Sequence, residues 1–111
     1  MELVIYGAQG LALTAYRAIR DLLPSRVIKC FLVTEQGINA ETLSGIPVLE
    51  LKPFAETLSE KEKAEIEVLL ATPENVMAEI EESLDEYGLY CHVRLTSLRW
   101  AELIGYHAVR E

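Results

Sequence analysis

Apolar positions fall along this chain in two regimes, short unbroken runs and longer stretches with an apolar stripe at helical spacing. The runs are Leu3-Val4-Ile5-Tyr6, Val27 to Val33, Gly45 to Leu51, Ile66 to Ala71 and Leu89 to Leu95, and they predict five strands. Val27-Ile28-Lys29-Cys30-Phe31-Leu32-Val33 is nearly all apolar, which is the habit of a strand covered on both faces in a parallel sheet rather than of a half-exposed hairpin. Pro47 withholds a ladder donor from the third run and predicts that this strand lies at a sheet edge.

The striped stretches predict helices. Leu11, Ala15, Ile19 and Leu22 share one face of a helix over about 11–23, with Ala12, Tyr16 and Leu23 beside them and Arg17, Arg20 and Asp21 opposite. Pro24-Ser25 ends it. Gly37 to Gly45 reads as surface loop. Phe54 to Lys63 holds one short acidic helix, in which Ser59-Glu60-Lys61-Glu62 matches the S-x-x-E capping box. At Thr72-Pro73-Glu74 a further helix starts, Thr72 capping, Pro73 at the first helical position and Glu74 complementing the dipole. Its buried stripe is Val76, Met77, Ile80, Leu84 and Tyr87, and Gly88 stops it. Thr96-Ser97 opens a last helix carrying Leu98, Ala101 and Ile104. Strands followed by helices predict an α/β protein: a three-layer, open, mainly parallel sheet of five strands in spatial order 3-2-1-4-5.

The 111 residues support one domain, residues 1–111, and half of them are apolar, enough for a core. A formal net charge of −8 argues against nucleic-acid binding, which needs basic surface. It leaves room for a small phosphorylated ligand, since one helix terminus acts locally. The acidic runs Glu56 to Glu67 and Glu79 to Glu86 read as solvated helix faces. No apolar run approaches the roughly 20 residues of a membrane span, and a strand begins where a signal peptide would lie, so a cytoplasmic location is expected. Cys30 and Cys91 both fall in predicted strands among apolar neighbours, as buried thiols or, if those strands adjoin, as a disulfide. Residues 105–111 carry no stop signal, which predicts the N-terminal part of a longer protein.

In such a sheet a ligand sits beyond the carboxyl ends of the strands, where the order reverses between the first and fourth. The candidate ligand-binding residues are therefore Gly7, Ala8, Gln9, Gly10 and Leu11 after the first strand, Thr34 and Glu35 after the second, and Thr72, Pro73 and Asn75 after the fourth. Thr96 and Ser97 follow the fifth. Gly7 and Ala12 fit the G-x-G-x-x-G/A pattern of a phosphate-binding turn, Gly7 for the tight turn and Ala12 for close helix–sheet packing. Gln9 stands at the middle glycine position, with Gly10 one step later. Gln9 either donates its amide to a ligand or fills space that a pyrophosphate would need. Glu35, 23 residues past Ala12, lies where an acid grips a ribose hydroxyl, and it is also an ordinary solvated loop acid. Thr72 and Thr96 are helix caps as readily as ligand contacts.

Other chemistry is sparse. His92 and His107 lack metal-ligand spacing with either cysteine. No Walker A sequence, G-x-S-x-G elbow or H-E-x-x-H occurs, and Tyr16 has no lysine four residues on. No catalytic nucleophile is placed with a base. Trp100, Tyr106 and the apolar side of the last helix read as a face for a further domain or a second copy.

Val4-Ile5-Tyr6-Gly7-Ala8-Gln9-Gly10, Lys29-Cys30-Phe31-Leu32-Val33-Thr34-Glu35 and Gly45-Ile46-Pro47-Val48-Leu49 together resemble a known module. It is the Rossmann-like N-terminal nucleotide-sugar-binding domain of bacterial sugar O- and N-acetyltransferases of the sialic-acid and bacillosamine type. Similar domains precede some polysaccharide-biosynthesis glycosyltransferases. The resemblance spans about residues 2–80. It implies a UDP-sugar or related nucleotide at Gly7 to Gly10, with the second-strand acid near the sugar or ribose. Gln9 departs from the family's Gly-Ala-Gly-Gly, no histidine follows the turn, and the hexapeptide β-helix that carries acetyl transfer is missing. The expectation is a non-catalytic nucleotide- or nucleotide-sugar-binding domain of a bacterial surface-polysaccharide biosynthesis protein, with a UDP-sugar or NAD as ligand. Its partner would be a C-terminal glycosyltransferase or acyltransferase domain, or a second copy. The alternatives are an interaction module that has lost its ligand and a small NAD-dependent enzyme.

Overall fold

The computed structural model describes residues 1–110, apart from the side chains of residues 99, 106 and 108–110. In chain order the elements are β1 (Glu2–Tyr6), α1 (Gly10–Leu22), β2 (Ile28–Val33), β3 (Thr42–Leu43), β4 (Ile46–Glu50), α2 (Leu51–Glu56), α3 (Glu60–Ala64), β5 (Ile66–Leu70), α4 (Glu74–Glu86), β6 (His92–Arg94) and α5 (Leu98–Arg110). The sheet runs β3-β4-β2-β1-β5-β6. All its pairings are parallel except β3 with β4. The protein is thus α/β with a mostly parallel, mixed sheet.

Alternation along the central strands builds two cores, because successive side chains leave a strand on opposite faces. Val4, Tyr6, Cys30, Leu32, Val68 and Leu70 meet α2 and α4 through Leu51, Phe54, Met77, Ile80 and Leu84. Leu3, Ile5, Phe31, Val33, Val48 and Leu69 meet α1 and α5 through Ala12, Ala15, Ile19 and Trp100. Helices therefore cover both faces, which is why the inner strands read as unbroken apolar runs.

The sheet has six strands, not five. The extra one, Thr42–Leu43, lies in the stretch expected to be loop and is too short to leave an apolar run. Ser44 and Gly45, with φ of 52° and 78°, turn it back onto β4. Two consecutive positive-φ residues are the signature of a two-residue hairpin. The strand carrying Pro47 is consequently not the edge. β3 lies outside it, pairing Thr42 with Pro47, and the Val48 N–H donates to Glu41 O at 2.8 Å.

Two short helices replace the single acidic one. The capping box starts the second as expected: Glu62 N–H donates to Ser59 Oγ at 3.1 Å and Ser59 N–H to Glu62 Oε1 at 2.9 Å. In α4, Pro73 occupies the N-cap rather than the first helical position, and Thr72 caps nothing. Its Oγ1 is buried without a partner. The last apolar run shortens to β6, which leaves Cys91 exposed outside the strand. Both cysteines are free.

The buried face of α1 is rotated from the expected stripe. Ala12, Ala15, Ala18 and Ile19 are buried, Leu22 is half-buried and Leu11 is 47% exposed, because α1 lies against α5 as well as the sheet. His107 Nε2 lies 3.0 Å from Asp21 Oδ2 across that helix pair. Trp100 is 2% exposed and belongs to the core, so it offers no docking face. The Tyr106 side chain, assigned to the same face, lies outside the described residues. Part of the acidic run on α4 is paired rather than merely solvated. Arg94 Nη2 and Nε reach Glu81 Oε1 at 2.6 and 3.1 Å, and His92 Nε2 lies 2.8 Å from Asp85 Oδ1, tying β6 to α4. No described helix is long and apolar enough to cross a membrane.

Candidate functional site

β1 is flanked by β2 on one side and β5 on the other, all parallel, so the three strands deliver their carboxyl ends to one edge. The chain moves outward from β1 through β2 to β4, then returns to the other side as β5. Loops leaving β1 and β5 diverge to opposite faces at such a reversal and leave a crevice between them. A cleft of about 460 Å³ lies there.

Its floor begins with Tyr6 and Gly7. Gly7 N–H donates to Leu32 O at 2.7 Å, and Ala71 N–H donates to Tyr6 O at 3.0 Å, so the turn is pinned between the ends of β2 and β5. Gly7 has φ +123°, and a Cβ there would lie 2.7 Å from Ala71 O. Only glycine satisfies both constraints. The Tyr6 hydroxyl lies 2.6 Å from Thr34 Oγ1. Burial pushes the Tyr6 phenol above its ordinary range, and the Thr34 hydrogen bond partly offsets this.

Ala8 and Gln9 continue the wall. Gln9 is the N-cap of α1 with extended backbone, but its side chain does not cap the helix. Instead Gln9 Nε2 donates to Asn39 Oδ1 at 2.6 Å, reaching from the β1–α1 turn to the loop after β2. That side chain therefore leaves the first turn of α1 uncovered by its own amide. Val33, Thr34, Glu35 and Asn39 form the β2 side, and Thr72 with Val76, Glu79, Ile80 and Ser83 forms the β5–α4 side. The lining mixes apolar walls with hydroxyls, two amides and two carboxylates, Glu35 and Glu79. It contains no lysine or arginine. The first turns of α1 and α4, helices of 13 residues each, begin at this edge, and the N–H groups of a helix's first turn carry partial positive charge.

Of the sequence-predicted candidates, the cleft gathers Gly7, Ala8, Gln9, Thr34, Glu35 and Thr72. Gly10 and Leu11 open α1 outside it. Open space surrounds the Gly10 Cβ position, so Gly10 is not demanded by a close approach. Pro73 and Asn75 are exposed and do not line the cleft, and neither do Thr96 and Ser97. Sequence reasoning missed Tyr6, Val33, Asn39, Val76, Glu79, Ile80 and Ser83. Val76, Glu79, Ile80 and Ser83 follow i, i+3, i+4, i+7 spacing on the face that flanks the core stripe, which was the available signal. Asn39 carried none, because its place depends on how the loop folds.

Among the described residues no group of three or more histidine, cysteine or acidic side chains is placed to hold a metal. Neither protein-family models nor characterised proteins give a match to this chain.

Proposed function

We propose that this chain is a Rossmann-like, non-catalytic nucleotide- or nucleotide-sugar-binding domain whose ligand occupies the cleft at the carboxyl edge of β1, β2 and β5. The observation that carries the reading is the convergence of the Gly7 turn, the β2-end residues Thr34 and Glu35, and α4 around one cavity at the strand-order reversal. Support also comes from the parallel strand order β4-β2-β1-β5-β6, which has β1 at its centre and a reversal beside it. The volume is in the range of small-ligand sites.

Charge divides the ligand. A phosphate is best held by the α1 N-terminus, since the cleft lining offers no cationic side chain. Glu35, Glu79, Ser83 and the amides of Gln9 and Asn39 suit hydroxyl-bearing and neutral polar parts such as ribose, sugar or base. The resemblance of the Gly7 turn and the Gly45-Ile46-Pro47-Val48 segment to the acetyltransferase module adds UDP-sugars as the first ligands to try. It also adds a role beside a glycosyltransferase or acyltransferase of polysaccharide biosynthesis.

Calorimetry with UDP, UDP-N-acetylglucosamine and NAD tests this, combined with amide chemical-shift mapping. Binding to UDP or its sugar, with shifts concentrated at residues 7–9, 34–35 and 79–83, is expected. An absence of heat and of shifts with all three at millimolar ligand would overturn the reading.

A further inference from the structure

The loop after β2 is built unlike an ordinary surface connection. Its two bases are tied to β4: Gln36 N–H donates to Glu50 Oε2 at 3.0 Å, and Glu41 O accepts from Val48 N–H at 2.8 Å. Between the bases the loop is bonded to itself. Gln36 Nε2 donates to Asn39 O and Ala40 O at 2.7 and 2.9 Å, and Asn39 N–H returns to Gln36 O at 2.8 Å. Gly37, at φ +50°, makes the bend. Three hydrogen bonds closed within five residues make a compact turn that moves as one piece or not at all.

Among the described residues, one hydrogen bond joins this turn to the neighbouring β1–α1 turn, Gln9 Nε2 to Asn39 Oδ1, and both of its partners line the cleft. It is an exposed bond between neutral amides, the kind water replaces at little cost. Next to Asn39, at the tip, Ile38 is 98% exposed, the most exposed large apolar side chain described. An isoleucine held fully in water by a stiff turn beside a cavity has no packing role in this state.

We propose that residues 36–40 are a flap over the cleft, pivoting on the Gln36–Glu50 and Glu41–Val48 ties, with the Gln9–Asn39 hydrogen bond as its catch and Ile38 as the surface laid on the ligand. The proposal rests on the cleft being the ligand site, while the motion itself belongs to the free protein. Loss of the catch frees the turn as a body, and burial of Ile38 against a bound molecule stabilises the closed state.

The test is ¹⁵N relaxation on the full chain, free and with UDP-N-acetylglucosamine, in the wild type, Gln9→Ala and Ile38→Ser. In free Gln9→Ala, residues 36–40 are expected to lose order or gain microsecond–millisecond exchange together, while Glu41 and Thr42 stay rigid. If they keep the order of the neighbouring strands, the flap is overturned whether or not any ligand binds. Where the wild type binds, Ile38→Ser is expected to weaken affinity about tenfold, and Val27→Ser, 71% exposed just before β2, to leave it unchanged. Unchanged affinity in Ile38→Ser overturns the flap and leaves the ligand reading standing. An absence of wild-type binding to UDP-N-acetylglucosamine, UDP and NAD alike overturns the ligand reading alone, with the free-protein relaxation still deciding the flap.

Discussion

Replacing Gly7 with alanine adds one methyl group at the point where three strand ends meet. Its φ of +123° lies outside the conformations that side-chain-bearing residues adopt, and holding alanine there costs about 1–3 kcal/mol. The new Cβ would also stand 2.7 Å from Ala71 O and 3.3 Å from Thr72 Cγ2. The first neighbour is backbone, fixed by the Ala71–Tyr6 hydrogen bond, so it cannot swing aside as a side-chain tip would. Relieving that overlap moves the end of β5 or the turn itself, at a further ~1–3 kcal/mol by analogy with overpacked cores. A loss of about 2–5 kcal/mol is expected, a large share of the roughly 5–15 kcal/mol typical of whole domains. Gly10→Ala is the internal control. That residue begins α1 with helical backbone and nothing within 4 Å of a Cβ, so the substitution is expected to stabilise by up to about 1 kcal/mol. Urea unfolding followed by the fluorescence of Trp100, the one tryptophan and a buried one, measures both. A Gly7→Ala midpoint matching wild type, or equal losses in the two variants, would refute the reasoning that close approach and positive φ fix the glycine.

Two further outcomes are expected. Burial pushes the Cys30 thiol up to about 12, whereas Cys91 is exposed, so a thiol reagent at pH 8 should label one cysteine per native chain and two in denaturant. Two fast labels in the native protein would contradict the described core. Asp21 is held below the usual carboxylate range by hydrogen bonds from His107 and Arg20, and Glu81 likewise by Arg94. A depressed folded value contributes stability that is present above the unfolded value, near 4, and is lost as pH falls through the folded one. The urea midpoint should therefore fall on acidification below about pH 4, and less steeply in an Asp21→Asn, Glu81→Gln variant. An identical pH slope in that variant would sink the assignment.

The apolar runs gave away the inner strands because helices cover both faces and each strand must be apolar on both. The capping box at Ser59 was legible for a local reason, since both of its hydrogen bonds close within four residues. The boundaries that moved were the ones decided at a distance. Thr72 looks like an N-cap in sequence, yet its hydroxyl is buried at the end of β5, and the helix begins after Pro73 instead. Leu11 looks like part of the α1 stripe, but with α5 packed on α1 the buried face turns towards Ala12 and Ala18.

The same division holds for the site. Gly7, Ala8, Gln9, Thr34, Glu35 and Thr72 were found from sequence because they follow strand ends, and parallel strands bring their carboxyl ends to one edge whatever else the fold does. Glu79 and Ser83 became part of the wall only because α4 turns that face to the cleft, and Asn39 only through a loop held by Gln36. Gln9 is where the two levels meet. Sequence alone determined that a long polar side chain stands at the middle glycine position of the turn. Tertiary structure decided that it reaches away to Asn39, because the amide finds its hydrogen-bond partner on a loop 30 residues further along the chain that no local pattern could place.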